Sequence, residues 1–191
     1  MKDYKKLEEK FNKLKDKYSK VLKENNSLKG LVYKDSLTKL YNQKFLQEEL
    51  ERKIQSHKRY GEEFSVLFID VDHFKRVNDN NGHLVGSKIL VQLGDLIKKN
   101  LRRTDYAFRY GGDEFVVILS QSKLKQAKTA AEKIRKAVEG ESFSEGLKIT
   151  VSVGIAGVPH HIDTAEGVLK MADEAMYEGK KQGRNTVYFQ D

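Results

Sequence analysis

The sequence of 191 residues contains no cysteine. That excludes a disulfide frame and thiolate chemistry. It also lacks an apolar stretch long enough to cross a bilayer, and its N-terminus is lysine-rich without the apolar core of a signal peptide. These absences predict a soluble cytoplasmic protein with no membrane partner in this chain. No internal repeat is visible, and no low-complexity segment beyond the lysine-rich start. With 38% hydrophobic and 34% charged residues, the chain suits one compact domain plus an appendage, not two full cores.

Acidic residues are too few to balance the basic ones, and the net charge is +8. The excess is unevenly placed. Residues 1–30 hold ten Lys against five Asp and Glu, so they carry +5 and the remainder only +3. A nucleic-acid binder concentrates basic charge on its folded face, so no nucleic-acid partner is expected.

What is present begins with a heptad pattern. Tyr4, Phe11, Tyr18, Asn25 and Val32 recur every seven residues, and Leu7, Leu14, Val21 and Leu28 fall three residues after the first four. This alternation predicts a coiled-coil seam over residues 1–33, with Asn25 setting register and a homodimer as the product. Residues 34–191 form the second domain. A helix is expected from Asn42 to His57. Phe64 to Asp72 reads as a central strand buried on both faces, with Asp70 and Asp72 on one face and Val71 on the other. Phe74 to Asn78 reads as a short helical turn and Asp79 to Gly82 as a loop. A helix follows over His83 to Asn100, with Leu84 among its inward residues. Asp105–Tyr110 and Glu114–Leu119 are hairpin arms, joined by a primed turn at Gly111-Gly112. A helix over Lys123–Glu139, a strand over Lys148–Val158, a helix over residues 164–181 and a short strand over Asn185–Phe189 complete the chain. The β-α-β-β-α-β order is the split pattern of ferredoxin-like folds, a kernel shared by nucleotidyl cyclases and polymerase palms. The expected class is therefore α/β (α+β), a mixed central sheet flanked by helices and preceded by the N-terminal coiled-coil helix.

The chemistry is concentrated in Arg109-Tyr110-Gly111-Gly112-Asp113-Glu114-Phe115. Two carboxylates beside a Gly-Gly pair suit a divalent metal carrying phosphate. If the hairpin pairs beside the first strand, Asp70 and Asp113 become neighbours and hold one or two Mg²⁺ ions, with the Val71 carbonyl as a further ligand. Backbone N–H groups at His73, Phe74 and Lys75 would face phosphate oxygens. Lys180 and Arg184 are further phosphate candidates.

The Arg109–Phe115 stretch resembles the signature of the GGDEF family of diguanylate cyclases. The similarity runs from about Asp35 to Phe189 and includes Asp35-Ser36-Leu37-Thr38, Asp70-Val71-Asp72-His73-Phe74-Lys75, Asn78-Asp79, Gly82-His83 and Gly183-Arg184-Asn185. The family condenses two nucleoside triphosphates, normally GTP, into a cyclic dinucleotide and releases pyrophosphate, each domain holding one substrate. The resemblance implies two Mg²⁺ (or Mn²⁺) ions bound by Asp70, the Val71 carbonyl and Asp113, with Glu114 organising the site. It implies close substrate approach over Gly111 and Gly112, triphosphate contacts from Lys75, Lys180 and Arg184, and a base contact from Asn78. Arg102 and Asp105, in Arg102-Arg103-Thr104-Asp105, resemble the family's product-inhibition site. Lys133 stands where some relatives complete that site with Arg.

Two departures matter. Lys39 stands where Gly is usual. Ser87 stands where the family has an Asp that accepts from guanine. A hydroxyl both donates and accepts, so ATP is expected beside GTP, with cyclic GMP-AMP beside cyclic di-GMP, as in the family's hybrid promiscuous members. The competing readings are a strict GTP enzyme, a non-catalytic nucleotide or cyclic-dinucleotide sensor, a palm-type polymerase and a coiled-coil adaptor.

Overall fold

The computed structural model describes residues 10–21, 32–157 and 164–189. The chain divides into two compact units, Met1–Lys34 and Asp35–Asp191. In the first, residues 10–21 are helical (α1). The heptad residues Phe11, Leu14, Tyr18 and Val21 are 51–66% exposed in the single chain. Tyr4, Leu7, Asn25 and Leu28 of the same pattern lie outside the described residues.

The second unit is built on a five-stranded sheet in the order β2-β3-β1-β4-β5. The strands are β1 (Phe64–Val71), β2 (Tyr106–Gly111), β3 (Glu114–Ser120), β4 (Val151–Gly157) and β5 (Val187–Phe189). Only the β4–β5 pair is parallel, so the sheet is mixed as expected. The helices are α2 (Gln43–Tyr60), α3 (Phe74–Asn81), α4 (His83–Lys99), α5 (Leu124–Gly140) and α6 (Ala165–Lys181).

Side-chain alternation along β1 divides the core. Leu67, Ile69 and Val71 pack with Ile89, Leu93 and Ile97 of α4 and Ala131 and Ile134 of α5. Phe64, Val66 and Phe68 pack with Leu46 and Leu50 of α2 and Ala172 and Met176 of α6. Both faces of β1 are covered, which is why it reads as a nearly continuous apolar run. Capping matches the sequence: the Asn42 side chain accepts from Phe45 N, and Thr164 accepts from Gly167 N.

The structure corrects several expectations. Asp79, Asn80 and Asn81 continue α3 instead of forming a loop, and Gly82, at φ 83°, ends it. Leu84 is 83% exposed, because it lies on the side of α4 opposite the buried residues Gly86, Ile89, Leu90, Leu93 and Ile97. The hairpin turn is Gly112-Asp113, not Gly111-Gly112. Gly111 pairs with Glu114 inside the ladder, and only Gly112, at φ 37°, has a left-handed backbone. A register shift between Arg109 and Gly111 inserts Tyr110, whose ring packs edge-on against Phe68 at 5.2 Å.

A close backbone-to-backbone approach lies between β4 and α6. A Cβ on Gly154 would stand 2.0 Å from the Ala172 carbonyl oxygen and 2.2 Å from Met176 N. Backbone cannot yield as a side-chain tip does, so Gly154→Ala should cost at least the ~1–3 kcal/mol typical of overpacking. Urea unfolding of the variant is the check, and wild-type stability would contradict the reading.

Candidate functional site

β1 delivers Asp70 to its C-terminal end on the α2/α6 side of the sheet. Because β3 pairs with β1, Glu114 stands directly across from Asp70 in register, and Val71 N donates to the Asp113 carbonyl at 3.4 Å. The hairpin thus pairs beside β1, which sets Glu114 across from Asp70 and the Asp113 backbone beside Val71. Lys180, in the last turn of α6, places its Nζ 2.6 Å from Asp70 Oδ1. Burial pushes the Asp70 carboxyl above its ordinary value. Lys180 opposes that shift, and the charges of Asp113 and Asp72 reinforce it. Glu114 is also raised, first by burial and then by Asp70, Asp113 and Asp173, with Lys180 opposing. Crowded carboxylates that repel one another in a partly desolvated pocket favour a cation among them.

Among the described residues, no group of three His, Cys, Asp or Glu side chains is gathered into a cage for an ion. Mg²⁺ is usually held by one or two carboxylates while waters and substrate phosphate complete its shell. Asp70, Asp113 and the Val71 carbonyl supply hard oxygen donors of that kind. The donor set thus fits a divalent ion that arrives with a phosphate ligand.

The turn carrying Asp113 is held from behind. Arg109 Nε and Nη2 donate to the Gly112 carbonyl at 3.2 and 2.8 Å, and Arg109 Nη1 reaches Asp35 at 3.3 Å. Asp35 also accepts from Thr38 N and Thr38 Oγ1 at 2.8 and 2.7 Å. Burial alone would raise the Asp35 carboxyl, but the Thr38 bonds and the Arg109 charge outweigh it and hold the group below its ordinary value. The Asp35-Ser36-Leu37-Thr38 turn is thereby tied to the hairpin tip. Lys39 sits in this turn at φ 58°, a conformation suited to the glycine it replaces.

The other candidates surround this centre. His73 caps α3 in a left-handed conformation, at φ 56°, and is exposed. Phe74 is buried beneath it, and Lys75 is exposed on the first turn. Asn78, half-buried, lies over α4 at Gly86, where a Cβ would stand 1.9 Å from Asn78 Oδ1. Ser87, the next residue on α4, is also half-buried. Gly111 is half-buried in the ladder, with Gly112 exposed at the tip. Arg184 is exposed beyond α6 at φ 64°. Asp72 shares a face with Asp70 but is occupied by protein donors from three residues.

Away from this centre, Arg102, Asp105 and Lys133 line an open cleft of about 320 Å³ between the β2–β3 edge and α5. Asp105 is held in place by Arg102 N at 3.0 Å and Ser120 N at 3.2 Å. One acidic group escaped the sequence reading. Asp173 on α6 lines a second cleft together with Glu114, Tyr110 and Phe68. Its carboxyl is raised by burial, with Lys180 opposing. Its position, seven residues before Lys180 on the same helix face, was the available signal.

A ferredoxin-like sheet with acids at the end of its first strand, a hairpin acid across from them and a lysine over both defines a domain of the nucleotidyl-cyclase and palm architecture. Residues 32–186 match the family described as diguanylate cyclase, GGDEF domain, and the chain belongs to that family. It is 38% identical over 162 residues to the response regulator PleD of Caulobacter vibrioides, covering 82% of this chain and 36% of PleD. The chain thus spans about a third of the length of the curated relatives it matches. Among solved structures, it resembles the diguanylate cyclase SiaD of Pseudomonas aeruginosa, crystallised with its activator SiaC. That match has a TM-score of 0.85 and 32% identity over 95% of this chain and 71% of SiaD. It also resembles the coiled coil and GGDEF domain of DgcB from Caulobacter crescentus, in complex with c-di-GMP. Here the TM-score is 0.83 and the identity 27%, over 96% of this chain and 99% of that one. Among the described residues, no helix is long and apolar enough to cross a membrane.

The clamp behind the turn is testable by pH. A carboxyl with a lowered folded pKa stabilises above its ordinary value of 3.8, and that stabilisation is lost as pH falls through the lowered value. Asp35→Asn should therefore unfold at a lower temperature than wild type near neutral pH, with the gap closing below the ordinary carboxylate range. A gap independent of pH in thermal melts would contradict the assignment.

Proposed function

We propose that this chain is a dinucleotide cyclase that condenses two nucleoside triphosphates into a 3′,5′-cyclic dinucleotide and releases pyrophosphate. The observation that carries the reading is Asp70 facing Glu114 across the β1–β3 ladder, with Lys180 2.6 Å from Asp70. Membership of the GGDEF family supports it, as does the c-di-GMP complex of the similar DgcB domain. Mg²⁺ or Mn²⁺, expected as two ions per site and held by Asp70, the Val71 carbonyl and Asp113, would neutralise phosphate charge and activate the attacking hydroxyl.

The protein's own groups do the remaining work. Lys180 neutralises Asp70 while the site is empty and is placed to turn to a phosphate oxygen when substrate enters. Lys75 and Arg184 add positive charge around the triphosphate, and the α3 N-terminus at His73 and Phe74 faces its oxygens. Gly111 and Gly112 present backbone without side chains. Glu114 organises the carboxylate cluster. Asn78 and Ser87 read the base edge.

One domain supplies one triphosphate and therefore half of the reaction. The second half comes from another copy. Pairing through the α1 stripe, in a homodimer, would raise the effective concentration of that half-site. The domain division follows: residues 1–33 dimerise, and residues 34–191 carry the chemistry, in the cytoplasm. Product returns to the cleft of Arg102, Asp105 and Lys133 and restrains activity.

The Ser87 hydroxyl favours a mixed specificity. It offers guanine no charge-assisted bond, and it offers adenine both a donor and an acceptor. GTP is thus the principal substrate and ATP a second, giving cyclic GMP-AMP beside cyclic di-GMP. The names of the relatives favour the alternative of a strict GTP enzyme.

Purified protein with Mg²⁺ and a mixture of GTP and ATP should yield both products on chromatography. Ser87→Asp should shift the yield toward cyclic di-GMP. Exclusive cyclic di-GMP from wild type would end the mixed specificity and leave the cyclase reading intact. Asp113→Ala should lower the turnover by ~10²-fold or more, the usual scale for losing a group that stabilises developing charge. Absence of pyrophosphate release with any triphosphate would overturn the cyclase reading in favour of a binding module.

A further inference from the structure

Asp72 is 5% exposed and is the second acid, just after β1. Its carboxylate accepts from Thr150 Oγ1 and Ser152 Oγ, each at 2.7 Å, and from the backbone N–H of Asn185 at 2.9 Å. The first two donors belong to the start of β4. The third belongs to the loop after α6. Three donors aimed at one carboxylate make it an anchor for backbone, not an open ligand for an ion.

The loop it anchors has an uncommon conformation. Gly183, Arg184 and Asn185 have φ values of 122°, 64° and 47° in succession. Asparagine tolerates the left-handed region, but an arginine beside it there is not explained by local preference. Asn185 is instead fixed from two sides. Its N–H binds Asp72. Its side-chain oxygen accepts from Arg135 Nη1 at 2.8 Å, and its amide donates to Glu139 Oε1 at 2.7 Å. Arg135 and Glu139 are themselves paired at 3.1 Å on α5. On the other side of Arg184, the chain returns to α6 through Arg184 N and the Gly179 carbonyl at 3.4 Å. The backbone of Arg184 is thus bracketed, while its side chain is exposed.

We propose that Asp72 is a positioning residue that, by holding Asn185, presents the Arg184 guanidinium to the polyphosphate of a bound nucleoside triphosphate. The inference rests on the cyclase reading above. Asp70, in β1, and Asp72, just after it, then divide the work at the end of α6: Asp70 sets Lys180, and Asp72 sets the loop of Arg184. A guanidinium on a fixed backbone can match a pair of phosphate oxygens with only its side-chain rotamers left to order.

The test measures binding without turnover. A non-hydrolysable GTP analogue and GMP are titrated calorimetrically, with Mg²⁺, into the full chain. Wild type should prefer the triphosphate. Arg184→Ala and Asp72→Ala should each weaken triphosphate binding about tenfold, the scale of one charge-assisted contact, and leave GMP binding unchanged. The double variant should be no weaker than Arg184→Ala alone, since residues acting as one unit are not additive. Asp72→Asn should rescue, because the hydroxyls of Thr150 and Ser152 can turn to donate or accept while the amide oxygen still takes the Asn185 N–H. Asn185→Gly keeps that N–H and tolerates positive φ but loses the α5 bonds. It should weaken triphosphate binding by an intermediate factor, and it serves as the test if Asp72→Ala does not fold. Additive losses, equal loss of GMP, or an Asp72→Asn as weak as Asp72→Ala would overturn the inference alone. Wild type that binds no triphosphate would overturn the cyclase reading and the inference with it.

Discussion

α6 lies on β4 with no side chain between them at Gly154, and much of the site depends on that approach. The absence of a Cβ there lets the Ala172 carbonyl and the Met176 amide reach the sheet. The helix end is consequently low enough for Lys180 to meet Asp70 on β1, the neighbouring strand. Gly179 repeats the device one turn from the end of α6, where a Cβ would stand 2.9 Å from Thr186 Cγ2. That second approach brings β5 in parallel beside β4 and folds the intervening loop back over the acids. Two missing side chains thereby place the cations of one helix over the carboxylates of another element.

The carboxylates themselves are an unfavourable arrangement without a cation. Burial and mutual repulsion raise both Asp70 and Glu114. Lys180 compensates partly. The rest of the domain holds the acids in place despite their repulsion, through the β1–β3 ladder on one side and the Arg109–Asp35 clamp on the other. Stability given up at such a centre is characteristic of sites arranged for a charged ligand. The clamp also means that the turn leading into the second unit and the turn bearing Asp113 share one arginine.

The parts legible in the sequence were those governed by short-range rules. The apolar run before Asp70 marked β1 because both faces of that strand are covered. Asn42 and Thr164 marked helix starts because their side chains satisfy the first free amides. The errors came where a longer-range contact outweighed the local signal. Gly111-Gly112 looked like the turn, but a register shift between Arg109 and Gly111 pairs Gly111 with Glu114, so Asp113 lies in the turn itself. Asp79-Asn80-Asn81 reads as a loop by composition, yet it completes α3, because the α3–α4 corner closes only at Gly82. Leu84 is apolar but out of phase with the buried stripe of Gly86, Ile89, Leu90, Leu93 and Ile97, so it faces away from the core.

By itself, the sequence determined the order and type of the elements, the pairing of carboxylates with glycines, and the positions from which a cation or a base could be contacted. These follow from periodicity, capping and turn chemistry, which act over a few residues. Only the tertiary structure decided which of those groups meet. Asp70 and Asp72 are indistinguishable along the chain, two acids at the end of one apolar run. Antiparallel pairing with β3 and the descent of α6 give Asp70 to Glu114 and Lys180. The start of β4 and the loop after α6 give Asp72 to Thr150, Ser152 and Asn185. Those partners lie 78 to 113 residues away. No local rule spans such a separation; sheet register and close backbone packing set it.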